Sequence, residues 1–251
     1  MTKPVSVAIL LMLCAPVLAE DNRLSLSSGL DYSIGAYGTP DDTETWFLPL
    51  ALKYQAGDYN FKLGMSYLWV RGPQNVTPEG EPIPGGGAVK TTHGLGDVTA
   101  SFTANVLDDR NHFAGLDLTG KIKFGTASES KALGTGKNDY ALQASLYKSV
   151  AAWMPYLDIA YRWKGDPAGI DYQNVWYVTT GASYRINKAW SLGADHAWRE
   201  KLTSTSDEIS EATVYANYKI SDHDKINIYG VTGFSDASPD WGLGFMLTRV
   251  F

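Results

Sequence analysis

From Leu24 onward the large apolar side chains recur at every second position, the period of a strand with one apolar face, and not at the 3.6-residue period of a helix. Trp46, Leu48, Leu50, Leu52 and Tyr54 show this most plainly, with the mixed or polar Phe47, Pro49, Ala51, Lys53 and Gln55 between them. The alternation returns in Phe61, Leu63, Met65, Tyr67, Trp69, in Val98, Ala100, Phe102, Ala104, Val106, and in Leu116, Leu118, Ile122, Phe124. It continues through Leu157, Ile159, Tyr161, Trp163, then Trp176, Val178, Ala182, Tyr184, then Trp190, Leu192, Ala194, Trp198, and ends with Trp241, Leu243, Phe245, Leu247 and Phe251.

With their turn signals these runs predict strands over 24–37, 44–56, 59–71, 94–107, 112–126, 138–149, 154–165, 172–186, 189–200, 208–220, 224–234 and 240–251. The connections alternate in length. Gly57-Asp58, Asp108 to Asn111, Ile186 to Lys188 and Asp222 to Asp224 are tight, whereas 72–93, 127–137, 166–171 and 201–207 are longer. An even strand number with short turns on one side and long loops on the other is the pattern of a bacterial transmembrane barrel. The expected fold is therefore all-β, a transmembrane antiparallel up-and-down β-barrel of about twelve strands.

The aromatic residues support the same reading. Trp46 and Tyr54, Phe61 and Trp69, Trp176 and Tyr184, and Trp190 and Trp198 are each eight residues apart, so each pair shares a face. At roughly 3.3 Å per residue and a tilt of about 40°, eight residues climb roughly 20 Å, close to the ~25 Å apolar band between two aromatic girdles.

Composition narrows the picture further. The chain has 251 residues, 44% of them hydrophobic, with 8 Trp and 15 Tyr. No run after the first twenty residues holds the roughly 18 apolar residues that a membrane helix needs. Residues 1–19 read as a secretory signal: Lys3 at the positive end, Val5 to Leu13 as the apolar run, and Val17-Leu18-Ala19 before Glu20 as the cleavage site. Cleavage there removes the only cysteine, Cys14, and leaves 20–251 as a single barrel domain without disulfides. Losing Lys3 moves the formal net charge from -6 to -7, with 27 Asp and Glu against one fewer than the 21 Lys and Arg of the whole chain. Such a balance speaks against a nucleic-acid partner, which needs a basic face.

Parity assigns the residues between the lipid-facing ones to the lumen. The expected pore-lining set is Asp31, Lys53, Lys62, Asp97, Asp117, Lys121, Lys123, Asp158, Arg162, Asp195, Arg199, Glu211, Tyr215, Lys219, Lys225 and Tyr229. Lys121, Lys123, Arg162 and Arg199 fall in the outer half by strand position, and Asp31, Asp117, Asp158 and Asp195 nearer the middle. Both signs are present, which fits a salt-bridged wall as well as a charged constriction that selects solutes. The outer loops are acidic, with Asp41, Asp42, Glu44, Glu79, Glu81, Glu129, Asp166, Asp171, Asp207, Glu208 and Asp236, a rim that keeps the loops solvated, repels anionic solutes or holds divalent cations beside lipopolysaccharide.

Three local patterns add a resemblance. Gly94-Leu95-Gly96-Asp97 opens a strand after a long Gly-rich loop, Lys123-Phe124-Gly125-Thr126 ends the next, and Gly134-Thr135-Gly136 with Asp139-Tyr140 starts the one after. In this region, about 90–165, the chain resembles the outer-membrane transporters associated with the meta-cleavage pathway of phenol degradation, with Gly125 where that family often has proline. The resemblance implies a transport or channel role for small aromatic or otherwise hydrophobic molecules and implies no catalytic residue. The final stretch Asp240 to Phe251 resembles the C-terminal signal read by barrel-assembly machinery, except that Arg249 stands at a lipid-side position that is more often apolar.

The four histidines, His93, His112, His196 and His223, have no zinc spacing, and neither a phosphate loop nor a cofactor motif is evident. The sharpest enzyme arrangement is His196 with Ser210 on the lipid side of neighbouring strands, as in an outer-membrane lipid hydrolase, although the usual His-x-Ser is replaced here by His196-Ala197-Trp198. The expectation is thus a monomeric outer-membrane channel in contact with lipid and lipopolysaccharide, with no metal and no cofactor. A structural or adhesive barrel without a pore and a lipid-modifying enzyme are the alternatives. Closure of such a pore is expected from the loops, chiefly 72–93 with Pro78, Pro82, Pro84 and Gly85 to Gly87.

Overall fold

The alternating stretches form strands that close on themselves. The computed structural model describes residues 22–251, so the expected signal segment, Cys14 and the expected boundary at Glu20 lie outside the described residues. The strands are β1 (Asn22–Gly35), β2 (Thr43–Ala56), β3 (Tyr59–Gly72), β4 (Lys90–Leu95), β5 (Val98–Leu107), β6 (Gly115–Phe124), β7 (Asp139–Tyr147), β8 (Trp153–Trp163), β9 (Val175–Arg185), β10 (Trp190–Arg199), β11 (Ile209–Lys219), β12 (Asp224–Gly233) and β13 (Trp241–Val250). Sequential strands pair antiparallel, β1 pairs with β13, and β2 pairs with β3, which closes the sheet. Because β4 and β5 both pair with β3, one above the other, they share one place, and the barrel has twelve.

The interruption between β4 and β5 departs from the single strand expected over 94–107. Leu95 lies opposite Tyr67 and Thr99 opposite Gly64, so four steps on one strand face three on the other, the signature of a bulge. The extra residue flips the parity: Leu95 is 56% exposed on the lipid side, although counting back from Ala100 puts it inside. Gly96 donates its N–H to the Ser66 carbonyl at 2.9 Å, and a side chain there would collide with the Ser66 hydroxyl. Asp97 keeps the inward parity counted from Ala100. The predicted strand over 172–186 is also shortened, because Tyr172 leaves the wall and packs with Val175 and Leu202 inside the mouth. Tyr37, at the predicted end of the first strand, instead sits at φ 48° in a turn with Gly38.

Outside, apolar side chains are turned away from the protein: Leu63 is 56% exposed, Leu142 60% and Val214 64%. So continuous an apolar exterior is stable only against lipid hydrocarbon. Two aromatic belts edge it. Tyr32 contacts Trp46 at 4.7 Å and Trp241 at 5.4 Å, and Tyr161 contacts Trp176 at 4.9 Å, near the long-loop end. Trp153 meets Tyr184 at 4.9 Å and Trp190 meets Tyr218 at 4.5 Å near the other end. The eight-residue pair Trp176 and Tyr184 therefore spans from one belt to the other. Arg249 points outward as expected and lies 3.8 Å from Asp224 on the neighbouring strand. Single-chain barrels of this construction are proteins of the bacterial outer membrane, with short turns in the periplasm.

This topology predicts a labelling result. A cysteine replacing Asp207, in the exposed connection between β10 and β11, should react with an impermeant thiol reagent on intact cells, and one replacing Asp222, in the turn between β11 and β12, should not. Reaction at Asp222 alone would invert the orientation. Glu79, an attractive labelling site while its loop is drawn as an outer rim, is unsuitable because that loop folds into the barrel.

Candidate functional site

The parity-assigned side chains fall into three tiers down the lumen. At the short-turn end Lys53 stands opposite Lys62 on the neighbouring strand, and Lys225 opposite Lys219. Asp117 belongs to this tier and not to the middle, since it is the third residue of β6 counted from the short-turn end, where its Oδ1 accepts from Asn105 at 2.6 Å. Lys219 reaches the edge of the mouth and pairs with Asp222 at 2.5 Å. Arg185 and Lys188 join Lys219 and Lys225 around a pocket of about 340 Å³ at this end. In the adjoining turn, hydrogen bonds from Arg110 hold the exposed Asp108 carboxyl down at about 2.

The middle tier is acidic and aromatic. Tyr156 donates to Asp195 at 2.9 Å and lies 3.3 Å from the Tyr215 hydroxyl, and because β8 and β11 are three places apart, these contacts cross the interior. Tyr229 donates to Asp31. Glycines make room for the rings: Gly193 lies beneath Tyr215, and Gly244 beneath Tyr229 and Asp31, so close that a Cβ at either would overlap them. Asp158 lies between Ser145 and Thr179 on its two neighbours. Tyr156 was absent from the expected set, although the parity that selects Asp158 also selects it.

The outer tier is cationic: Lys121 and Lys123 on β6, Arg162 on β8 and Arg199 at the end of β10. Here the structure corrects the acidic-rim expectation, because Glu79 and Glu81 lie inside the barrel. The segment Thr77-Pro78-Glu79-Gly80 makes a turn closed by Gly80 N–H to the Thr77 carbonyl at 2.9 Å. Proline second and glycine fourth is the residue pattern of such a turn. Gly80 has φ +70°, and a side chain there would meet the Ala237 carbonyl at 2.7 Å. Thr77 N–H to the Glu81 carbonyl at 2.8 Å and Ile83 N–H to Asn75 at 2.9 Å make a small hairpin, and Val76, Thr77 and Glu81 on it are buried.

Glu81, 3% exposed, is the centre of an ion cluster. It pairs with Lys164, and with Lys123 at 3.5 Å. Asp139 lies 2.8 Å from Lys123 and 2.5 Å from Lys164, and Asp97 lies 3.5 Å from Lys123. Three carboxylates thus enclose two ammonium groups at side-chain exposures of 4–10%. Asp97 also accepts from the Ala127 N–H at 2.7 Å, and the Tyr172 hydroxyl donates to the Pro82 carbonyl at 2.6 Å. The hairpin is therefore tied to β6, β7 and the connection after β8. Burial pushes the Tyr172 phenol up, and Glu81 adds to the effect.

Under the hairpin remains a cavity of about 280 Å³, with Lys62, Lys121, Lys123, Glu79, Glu81 and Asp97 on its charged side and Phe47, Leu68 and Leu133 on its apolar side. The apolar side continues into a buried cluster of Leu68, Val70, Ala127 and Leu133 against Phe47. Glu79 lies deep in the lumen but faces this cavity. Its burial raises the pKa, yet Lys123, Lys164, Lys121 and Arg162 outweigh that and hold the carboxyl below the ordinary glutamate value. Arg162 lies 4.2 Å over the Tyr177 ring, and Glu211 is the acidic residue of β11 nearest the mouth. On the exterior, His196 and Ser210 are 3.0 Å apart. Among the described residues no carboxylate hydrogen-bonds the other ring nitrogen of His196, so the pair lacks the third group that orients a catalytic base.

No family model and no curated relative matches the chain. Solved structures do. An outer-membrane channel from Pseudomonas putida F1 superposes with a TM-score of 0.66 at 17% identity, covering 92% of this chain and 95% of that one. The NanC porin superposes with a TM-score of 0.54 at 12% identity, over 90% of this chain and 98% of that one. At these identities the likeness establishes the fold, and the proteins that share it are channels and porins.

Proposed function

We propose that this chain is an outer-membrane channel for small solutes, and that small aromatic or otherwise hydrophobic compounds are its cargo. The observation that carries the reading is the interior: a lumen tiered by charge, narrowed at the outer end by an inward hairpin, with a solute-sized cavity beneath it. The aromatic part of the proposal is supported by the resemblance of residues 90–165 to the phenol-pathway transporters and by the apolar wall of Phe47, Leu68 and Leu133. The chain is taken to act alone, with lipid and lipopolysaccharide around it and the barrel-assembly machinery as its route into the membrane.

The test is reconstitution into a planar bilayer. The protein should show discrete conductance, and Asp195→Asn, which removes a charge from the middle tier, should shift ion selectivity toward anions while leaving the heat-modifiable gel mobility of the barrel intact. A bilayer that stays silent at every voltage and solute would defeat the channel reading.

A further inference from the structure

Arg199 is 3% exposed, and its Nη2 atom, fully buried, has no hydrogen-bond partner among the described residues. Its Nε–H goes only to the carbonyl of the adjacent Glu200, at 3.3 Å. A guanidinium is always charged and carries five donors in a planar fork. An unfilled donor on a buried charge is costly, and such groups in folded proteins call for an explanation.

The surroundings supply one. Tyr177 lies directly beside Arg199 in the strand register, and the Arg162 guanidinium lies over the Tyr177 ring at 4.2 Å. One guanidinium thus covers this ring, and a second is carried by the residue paired with it on the neighbouring strand. The charged groups acting on Arg199 are Glu81, Arg162 and Glu211. Glu81, the acid that the hairpin brings here, is already engaged by Lys164 and Lys123. The shelf is therefore rich in donors and short of acceptors.

We propose that Arg162 and Arg199 form a carboxylate-binding step on the solute route, that its ligand is a small aromatic carboxylate, and that Glu81 on the hairpin is the competing internal carboxylate. The fork of Arg199 can donate two parallel hydrogen bonds to a carboxylate, which a neutral hydroxyl cannot match. The Tyr177 ring receives the solute's ring. Nη2 is fully buried, and its opening is assigned to withdrawal of the Thr77 to Ile83 hairpin, whose Glu81 acts on this guanidinium. Entry of the solute's carboxylate then gives the cations a second anion in exchange for Glu81. This step rests on the channel reading and narrows its cargo from small hydrophobic molecules to their acids.

Binding in detergent solution, read by calorimetry on the folded full-length barrel, tests it without requiring conduction. Benzoate should bind the parent protein, and Arg199→Gln and Arg162→Gln should each weaken it by about tenfold or more, about 1.4 kcal/mol. Arg199→Lys should recover only part of the affinity, since it restores charge without the fork. Benzyl alcohol, of similar size and neutral, should bind weakly and equally to all of them. Glu81→Gln should tighten benzoate several-fold. Parent protein that binds benzoate no better than benzyl alcohol, or Arg variants that bind it unchanged, would overturn the proposal. Should Arg199→Gln fail to show the heat-modifiable mobility of a folded barrel, Arg162→Gln and Glu81→Gln decide in its place. Bilayer recordings separate the two claims: conduction without benzoate binding removes the carboxylate step alone, and benzoate binding in a silent protein removes the channel alone.

Discussion

Lys123→Met is expected to cost the folded barrel about 3–5 kcal/mol, because it removes one partner of a buried ion cluster and leaves charge uncompensated. The side chain is 8% exposed and sits between Asp139 at 2.8 Å and Asp97 and Glu81 at 3.5 Å. Without it, Glu81 and Asp139 share the single ammonium of Lys164 and Asp97 loses its only ion-pair partner among the described residues, in a place that water barely reaches. The measurement is the temperature or denaturant concentration at which the compact gel form converts to the unfolded one. Lys123→Arg should restore much of the loss. Combining Lys123→Met with Asp139→Asn should cost less than the two changes added, since the pair is in direct contact. Lys53→Met is the control: it stands at the other end of the lumen with no ion pair within 4 Å among the described residues, and should change stability by less than about 1 kcal/mol. Equal stability of Lys123→Met and the parent would mean that the cluster does not brace the wall.

The wall of this protein is legible in its sequence because strand geometry is a two-state rule. Once Ala100 and Ile122 are known to face lipid, Lys121 and Lys123 have nowhere to point but inward, and the structure pairs Lys123 with Asp139 directly across the strand boundary. The same rule reaches Tyr156, Tyr177 and Lys164, which are uncharged or lie just beyond a strand end. It fails at the bulge around Gly96, where one extra residue reverses the face, and nothing in Gly94-Leu95-Gly96-Asp97 announces which of the two glycines carries it. A bulge is set by what packs against it, here Ser66 on the partner strand and the Ala127 N–H from the loop after β6.

The hairpin was half legible. Thr77-Pro78-Glu79-Gly80 is a turn by residue type, and the prolines and glycines around it mark a loop with its own shape. Its destination was hidden, since an acidic loop reads as solvated unless its partners are known. Those partners, Lys123, Lys164 and the Tyr172 hydroxyl, come from β6 and from the connection after β8, 42 to 90 residues away in the chain. No local pattern encodes a contact of that range. For the same reason the charges around Arg199, Glu81 of the hairpin, Arg162 of β8 and Glu211 of β11, could not be read from its neighbours in the chain.

Acid should open the passage, and the threshold should lie lower than an ordinary glutamate would set. Glu79 on the hairpin is held below its usual pKa by Lys123, Lys164, Lys121 and Arg162, which together outweigh the opposing effect of burial. A carboxyl with a depressed folded-state value contributes stability that is fully present above the unfolded value, about 4.3, and is lost as pH falls through the lower folded value. The seated hairpin should therefore be indifferent to pH from 8 down to about 5, and conductance should be flat across that span. As pH falls further, through that depressed value, the attraction between Glu79 and its four cations fades, the hairpin loosens, and conductance should rise. Glu79→Gln removes the same attraction at every pH and should conduct better than the parent at pH 7, with a smaller acid-induced rise. Replacing residues 76–83 by a short glycine-serine link removes the obstruction itself. It should give the largest conductance of the three proteins and the weakest dependence on pH. A parent protein whose conductance climbs between pH 8 and 5, or a hairpin-deleted protein no more conductive than the parent, would show that this segment does not control the lumen.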